Sequence, residues 1–253
     1  MSRWAQNRRT FILLGISAIL ALIAFAVYVL IFFKPPSCFD GLQNGIEEGI
    51  DCGGTCELVC PFQATEPNIL WSRAFKISDG IYNIIGLIEN PNFDVKLDGV
   101  YKFEAYNKDN ILIEEVFGDV TLYPAQKKPV FEATVVTGFQ DISKVFLKMV
   151  GENTWTKSEQ LEQTVFVTSR SLSDQESEPK LEVSLVNRGI VPKRNLSITA
   201  VLYNASGNVV QSSQTFLEYI ERDSTASVFY TWPEPFIEEV TKIDVFINEI
   251  TLL

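Results

Sequence analysis

Between Phe11 and Phe33 the chain runs for 23 residues without a charge, and Cys38, the first of only four cysteines, follows five positions later. As a helix rising about 1.5 Å per residue, the run is about 35 Å long. That exceeds a hydrocarbon core of about 30 Å by an amount that tilt absorbs. Arg3, Arg8 and Arg9 precede it, no acidic residue occurs before Asp40, and Lys34 stands alone on the other flank. The positive-inside rule then predicts a cytoplasmic segment 1–10, a single span 11–33 and export of everything beyond. A cleaved signal peptide is the rival reading. The run is long for a signal core, and no small-x-small site follows it. In Lys34-Pro35-Pro36-Ser37-Cys38 the lysine and prolines stand where a lipoprotein site needs small apolar residues. The expectation is an uncleaved single-pass anchor.

Removing the three leading arginines from the 21 basic residues leaves 18 against 32 acidic ones, a net charge of −14 on the exported part. A surface that acidic disfavours nucleic acid and anionic lipid as partners. There is no histidine, which excludes Ser-His-Asp and Cys-His catalysis and histidine-ligated metal. No spacing singles out a carboxylate pair, so no enzyme is expected.

Residues 34–65 form a cysteine-rich knot. Its turn formers Asp40-Gly41, Asn44-Gly45 and Gly53-Gly54 argue against a helix. So short a segment cannot bury a core, and on the oxidising side of a membrane Cys38, Cys52, Cys56 and Cys60 are expected to form two disulfides. A four-cysteine zinc site wants two close pairs, whereas Cys38 stands alone. Two connectivities stay open: Cys38–Cys52 with Cys56–Cys60, and Cys38–Cys56 with Cys52–Cys60. The second is favoured because it interlocks the loops. Asp40, Asn44, Glu47 and Asp51 supply oxygen ligands for a calcium ion, although turn-forming roles explain much of the same pattern. No other cofactor is implied. The pattern carried by Cys38, Asp40, Gly41, Asn44, Gly45, Glu47, Asp51, Cys52, Gly53, Gly54, Cys56 and Cys60 resembles a short cysteine motif of bacterial surface and secreted proteins. That resemblance implies a cell-surface location and no particular activity.

The remainder repeats itself. Leu87-Ile88-Glu89-Asn90 returns as Ser184-Leu185-Val186-Asn187, and Phe103–Asn107 returns as Ala200–Asn204, both 97 residues later; Ile142–Val145 returns as Val240–Ile243 after 98. Matches that hold register over so long a stretch indicate a tandem duplication. Each copy alternates as strands do. Leu196, Ile198, Ala200 and Leu202 share one face, with Ser197 and Thr199 on the other. Six or seven short strands per copy predict two tandem immunoglobulin-like β-sandwiches, over 66–158 and 159–253. Their connection is expected near Thr156–Gln163 and their last strand at Lys242–Ile250. The blocks at Phe103–Asn107 and Ala200–Asn204 resemble the Phe-x-Leu-Tyr-Asp segment of FxLYD-type domains, immunoglobulin-like modules of bacterial envelope proteins. Copy one keeps Phe103 and Tyr106; copy two keeps Leu202 and Tyr203. The repeated tyrosines Tyr106 and Tyr203 read as structural strand ends rather than ligand contacts.

The expected protein is therefore mainly β: an anchor helix, a disulfide knot and two sandwiches outside the cell membrane. Its expected role is non-catalytic, as a scaffold, adhesion or envelope-assembly component that binds another envelope protein. The alternative is a sensor or ligand-capture ectodomain for a small molecule or glycan. An exposed apolar patch would favour the first and a large cavity within a sandwich the second.

Overall fold

The computed structural model of the chain describes residues 3–32 and 36–249. The expected boundaries that reach residues 1, 33, 34 and 250–253 lie outside the described residues. Helix α1 (Arg3–Phe32) begins well before the apolar run and ends ahead of Pro35-Pro36, a pair that disfavours helical backbone before it. Its stretch Phe11–Leu30 is long and apolar enough to cross a membrane.

The chain divides into two compact units, Met1–Glu57 and Leu58–Leu253. In the first, α1 leads into the turn-rich part of the knot. The second contains twelve strands: β1 (Asn68–Ser78), β2 (Ile81–Glu89), β3 (Val95–Tyr106), β4 (Leu112–Leu122), β5 (Lys127–Val136), β6 (Lys144–Lys157), β7 (Val165–Ser173), β8 (Lys180–Asn187), β9 (Lys193–Tyr203), β10 (Val209–Ile220), β11 (Thr225–Thr231) and β12 (Lys242–Glu249). They form four antiparallel three-stranded sheets, ordered β1-β2-β5, β4-β3-β6, β11-β8-β7 and β10-β9-β12. Adding six to every strand number of the first two sheets yields the other two. The two β domains are copies of one topology, as the repeat predicts. The second follows a connection that begins after Lys157 and ends before Val165.

Each domain is a sandwich with its own core. Ile84, Ile88 and Val130 of one sheet meet Leu97, Phe103, Leu122 and Leu147 of the other in the first domain. Leu181, Val183, Leu185 and Val228 meet Leu196, Ile198, Ala200 and Leu202 in the second. Trp232 closes the end of the second core, stacked 6.3 Å from Tyr230 and edge-on 5.2 Å from Phe236. Apolar burial at period two is what holds these sheets face to face. Below the first core, Leu58 bridges Thr156, and Val59 N–H donates to the Trp155 carbonyl at 2.9 Å. The end of the cysteine-rich segment is thereby stitched onto β6.

The second domain departs from simple alternation. Ser197 and Thr199, expected on an outer face, are 7% and 0% exposed. They are covered because the outer face of β10-β9-β12 packs on the outer face of β1-β2-β5. Ile85, Val201 and Tyr203 form a third apolar cluster with Trp71, Phe75, Phe131, Val209 and Phe246. The sheets of the two domains thus follow one another in four layers.

Candidate functional site

In the knot, Cys38 and Cys56 are bonded, with their Cα atoms 5.7 Å apart. Cys52 and Cys60 are disulfide-bonded too and no cysteine is free, so by elimination they pair with each other. The four residues expected to hold calcium come together in one loop. Asp51 accepts from the backbone N–H groups of Asp40 and Gly41 at 3.0 and 2.9 Å. Asp40 accepts from Leu42 N–H and from the Asn44 side-chain amide at 2.9 and 2.8 Å. Glu47 accepts from Asn44 N–H at 3.0 Å. These carboxylates therefore fasten the turns of a segment that has no ladder to satisfy its backbone. The remaining Glu47 oxygen faces the Cys38 and Cys56 sulfurs, which are bonded to each other and supply no thiolate. Gly54 explains the paired glycines. It sits at φ +57°, and a Cβ there would strike the Ile46 carbonyl oxygen.

The repeated tyrosines mark equivalent positions with different surroundings. Tyr106 ends β3 between Leu112 and Lys144; Tyr203 ends β9 between Val209 and Lys242. Each is followed by an asparagine whose side chain caps the turn, Asn107 accepting from Ile111 N–H and Asn204 from Asn208 N–H. Tyr203 is buried at the domain seam, edge-on to Trp71 at 6.5 Å. Burial, with Asp244 nearby, pushes its phenol up to about 12. In the sequence Tyr203 reads only as a strand end, and its seam partners Ile85, Trp71 and Phe131 carry no assignment. A signal was there: Ile81–Glu89 and Leu196–Tyr203 lack a consistently polar face, the mark of a strand covered on both sides.

In the first domain the equivalent face, outside β4-β3-β6, is open. Lys102 and Glu104 stand where the second domain has Thr199 and Val201. Glu104 is the centre of the face, with its side chain 9% exposed. Lys102 and Lys148 reach it at 2.8 and 2.7 Å, and the Tyr106 hydroxyl donates to it at 3.0 Å. The Lys102 and Lys148 hydrogen bonds hold its carboxyl down to about 2, against the opposing cost of burial. Lys102 also pairs with Glu115 at 2.8 Å, and those two carboxylates raise its own pKa. Around this clamp lie exposed apolar side chains. Phe117 is 57% exposed under the Lys102 ammonium, and Phe146 is 50% exposed and edge-on to Tyr106 at 5.7 Å. Leu112 extends the patch beside Tyr106. The face thus has a mostly buried charged centre rimmed by exposed aromatic side chains.

A cleft of about 340 Å3 opens where the connection between the domains passes the seam. Gln126 and Lys127 line it from the first domain, Gln160, Leu161 and Gln163 from the connection, and Asn248 from β12. Gln126 donates weakly to Asn248 across it at 3.5 Å.

No protein-family model matches the chain, and no curated protein matches it. Solved structures with a partial likeness include red sea bream transglutaminase, 12% identical, with 75% of this chain and 32% of that one covered at a TM-score of 0.21. A second is Bacteroides uniformis β-glucuronidase 2, at 11% identity, 68% and 25% coverage and a TM-score of 0.24. A third is a β-glucuronidase from glycoside hydrolase family 2, at 10% identity, 87% and 29% coverage and a TM-score of 0.22. The chain spans a third or less of the length of each. Likeness at these TM-scores transfers nothing to this chain. The apolar helix and the disulfides, by contrast, mark a secreted or membrane-anchored extracytoplasmic protein.

Proposed function

We propose that the chain is a non-catalytic, single-pass scaffold of the cell envelope, with its N-terminus in the cytoplasm. Its sandwiches, akin to FxLYD-type modules, stand outside and bind another envelope protein through the outer face of β4-β3-β6. The observation that carries this reading is internal to the molecule. The same face of the second copy is a protein–protein contact, covered by the first domain. In the first copy it carries exposed Phe117 and Phe146 around a fixed ion cluster. A surface of one fold that already mates with a sheet is a natural place for a partner sheet or strand. The test is site-specific photocrosslinking in intact cells. Crosslinkers at Phe117 and Phe146 are expected to trap one discrete envelope protein, while crosslinkers at Ser171 and Ser227, on β7 and β11, trap none. Equal or absent trapping at all four positions removes the support.

The cleft at the seam favours the second reading, capture of a small polar ligand or glycan. Its amide-rich lining of Gln126, Gln160, Gln163 and Asn248 matches hydroxyl-bearing ligands better than apolar ones. A glycan array probed with the full chain in detergent separates the two. A saturable hit abolished by Asn248→Ala supports ligand capture, and its absence leaves the scaffold reading.

A further inference from the structure

The knot is built inside out. Phe39, Leu42, Ile46 and Ile50 are 81%, 60%, 63% and 64% exposed. Over the same thirteen residues the polar side chains of Asp40, Asn44, Glu47 and Asp51 turn inward and bind the backbone and one another. Turns whose acids are tied to their own N–H groups, with four large apolar side chains outside, resemble a segment adapted to a solvent less polar than water.

The chain itself places such a solvent nearby. Only five residues separate Phe32, the last residue of α1, from Cys38. Fully extended, a linker of that length reaches on the order of 20 Å. Cys38 is then locked to Cys56, so the turns cannot move outward independently of their tether. From Cys38 to Cys60 there is no basic residue. Electrostatic attraction to anionic headgroups therefore contributes nothing, and any membrane contact must rest on apolar insertion.

We propose that Phe39, Leu42, Ile46 and Ile50 insert into the headgroup–acyl boundary of the leaflet from which α1 emerges, seating the knot on the bilayer as a collar. The occupant is the lipid surface, favoured when its headgroups are zwitterionic. The inference rests on the anchor reading of α1. It adds a second membrane contact, the knot, to the span.

The full chain, reconstituted in phosphatidylcholine vesicles doped with a phospholipid carrying an acyl-chain diazirine near the headgroup, is irradiated and mapped by mass spectrometry. Adducts are expected on the Phe11–Leu30 stretch and, at comparable yield, on Phe39, Leu42, Ile46 and Ile50. The variant combining Phe39→Ser, Leu42→Ser, Ile46→Ser and Ile50→Ser should lose at least tenfold of the knot adducts and keep those on the span. Intact disulfides in a non-reducing digest certify that it is folded. Replacing a third of the lipid with phosphatidylglycerol should lower the knot yield, since Glu48 and Glu57 are then repelled. Adducts on the span with none on the knot overturn the collar, as does a knot yield unchanged in the serine variant. Absence of adducts on the span refutes the anchor itself, and the collar with it.

Discussion

Asn90 and Asn187 are the same residue used twice. Each is 0% exposed at the end of a central strand, and each turns its side-chain amide onto three backbone carbonyls of the neighbouring loops. Asn90 donates to Val95, Leu122 and Tyr123 at 2.8, 3.1 and 3.1 Å. Asn187 donates to Val191, Ile220 and Glu221 at 2.9, 3.5 and 3.2 Å. Their carbonyl oxygens accept from the backbone two residues on, at Asn92 and Gly189. A single amide thus ties together strand ends and loops that meet beside it.

Asn90→Ala and Asn187→Ala are each expected to cost about 2 to 3 kcal/mol, because buried carbonyls lose their donor without regaining water. Asp at either position should cost more, since it presents acceptors to acceptors. Urea unfolding monitored by circular dichroism reads this as a lower midpoint at unchanged slope. Near-wild-type midpoints would show that the loops rearrange to pair elsewhere.

The seam should make the two domains unfold together. Trp71→Ala removes the aromatic partner of Tyr203 and opens the third cluster, a loss of about 2 kcal/mol for a half-buried indole. Calorimetry is expected to change from one transition to two, with the second domain melting first. A single transition in the variant would mean that the short connection alone couples the copies.

Acid should act on the open face through Glu104. Its carboxyl is held at about 2 against an ordinary 4.5, so the stabilisation is complete above about 4.5 and fades as the pH falls through about 2. The difference in melting temperature between the parent and Glu104→Gln should be constant from pH 5 to 7, shrink below 4.5 and vanish near 2. Parallel melting curves across that window would show that Lys102 and Lys148 do not stabilise the charge in solution.

The knot should depend on its covalent links while the sandwiches do not. Closing the 18-residue separation from Cys38 to Cys56 stabilises by roughly 3 kcal/mol in the chain-entropy treatment. In the double variant Cys38→Ser, Cys56→Ser, a glutamate-specific protease should cut at Glu47 and Glu48 within minutes and leave the β-sheet circular dichroism unchanged. Resistance equal to the parent would mean that the Asp51 and Glu47 hydrogen bonds hold the turns alone.

Composition and period, both local quantities, determined much of this protein. The uncharged run dictates an apolar helix, four cysteines among turn formers dictate a stapled segment, and a 97-residue register dictates two copies of one β topology. Alternation correctly assigned Leu196, Ile198, Ala200 and Leu202 to a core, and the repeat matched Tyr106 to Tyr203. What alternation cannot encode is what lies beyond the outer face of a sheet. Ser197 and Thr199 read as the far side of a strand, and only the packed structure shows that side covered by the first domain, while Phe117 and Phe146 on the equivalent face of the first domain stay exposed. The oxygen-rich residues of the knot carry the same lesson. Asp40, Asn44, Glu47 and Asp51 read as candidate calcium ligands in a pattern that turn-forming roles largely explain, and only the folded loop shows which N–H groups they meet. Faces and spacings are properties of the backbone period; the partner of a face depends on contacts between residues distant in sequence, and those exist only once the chain has folded.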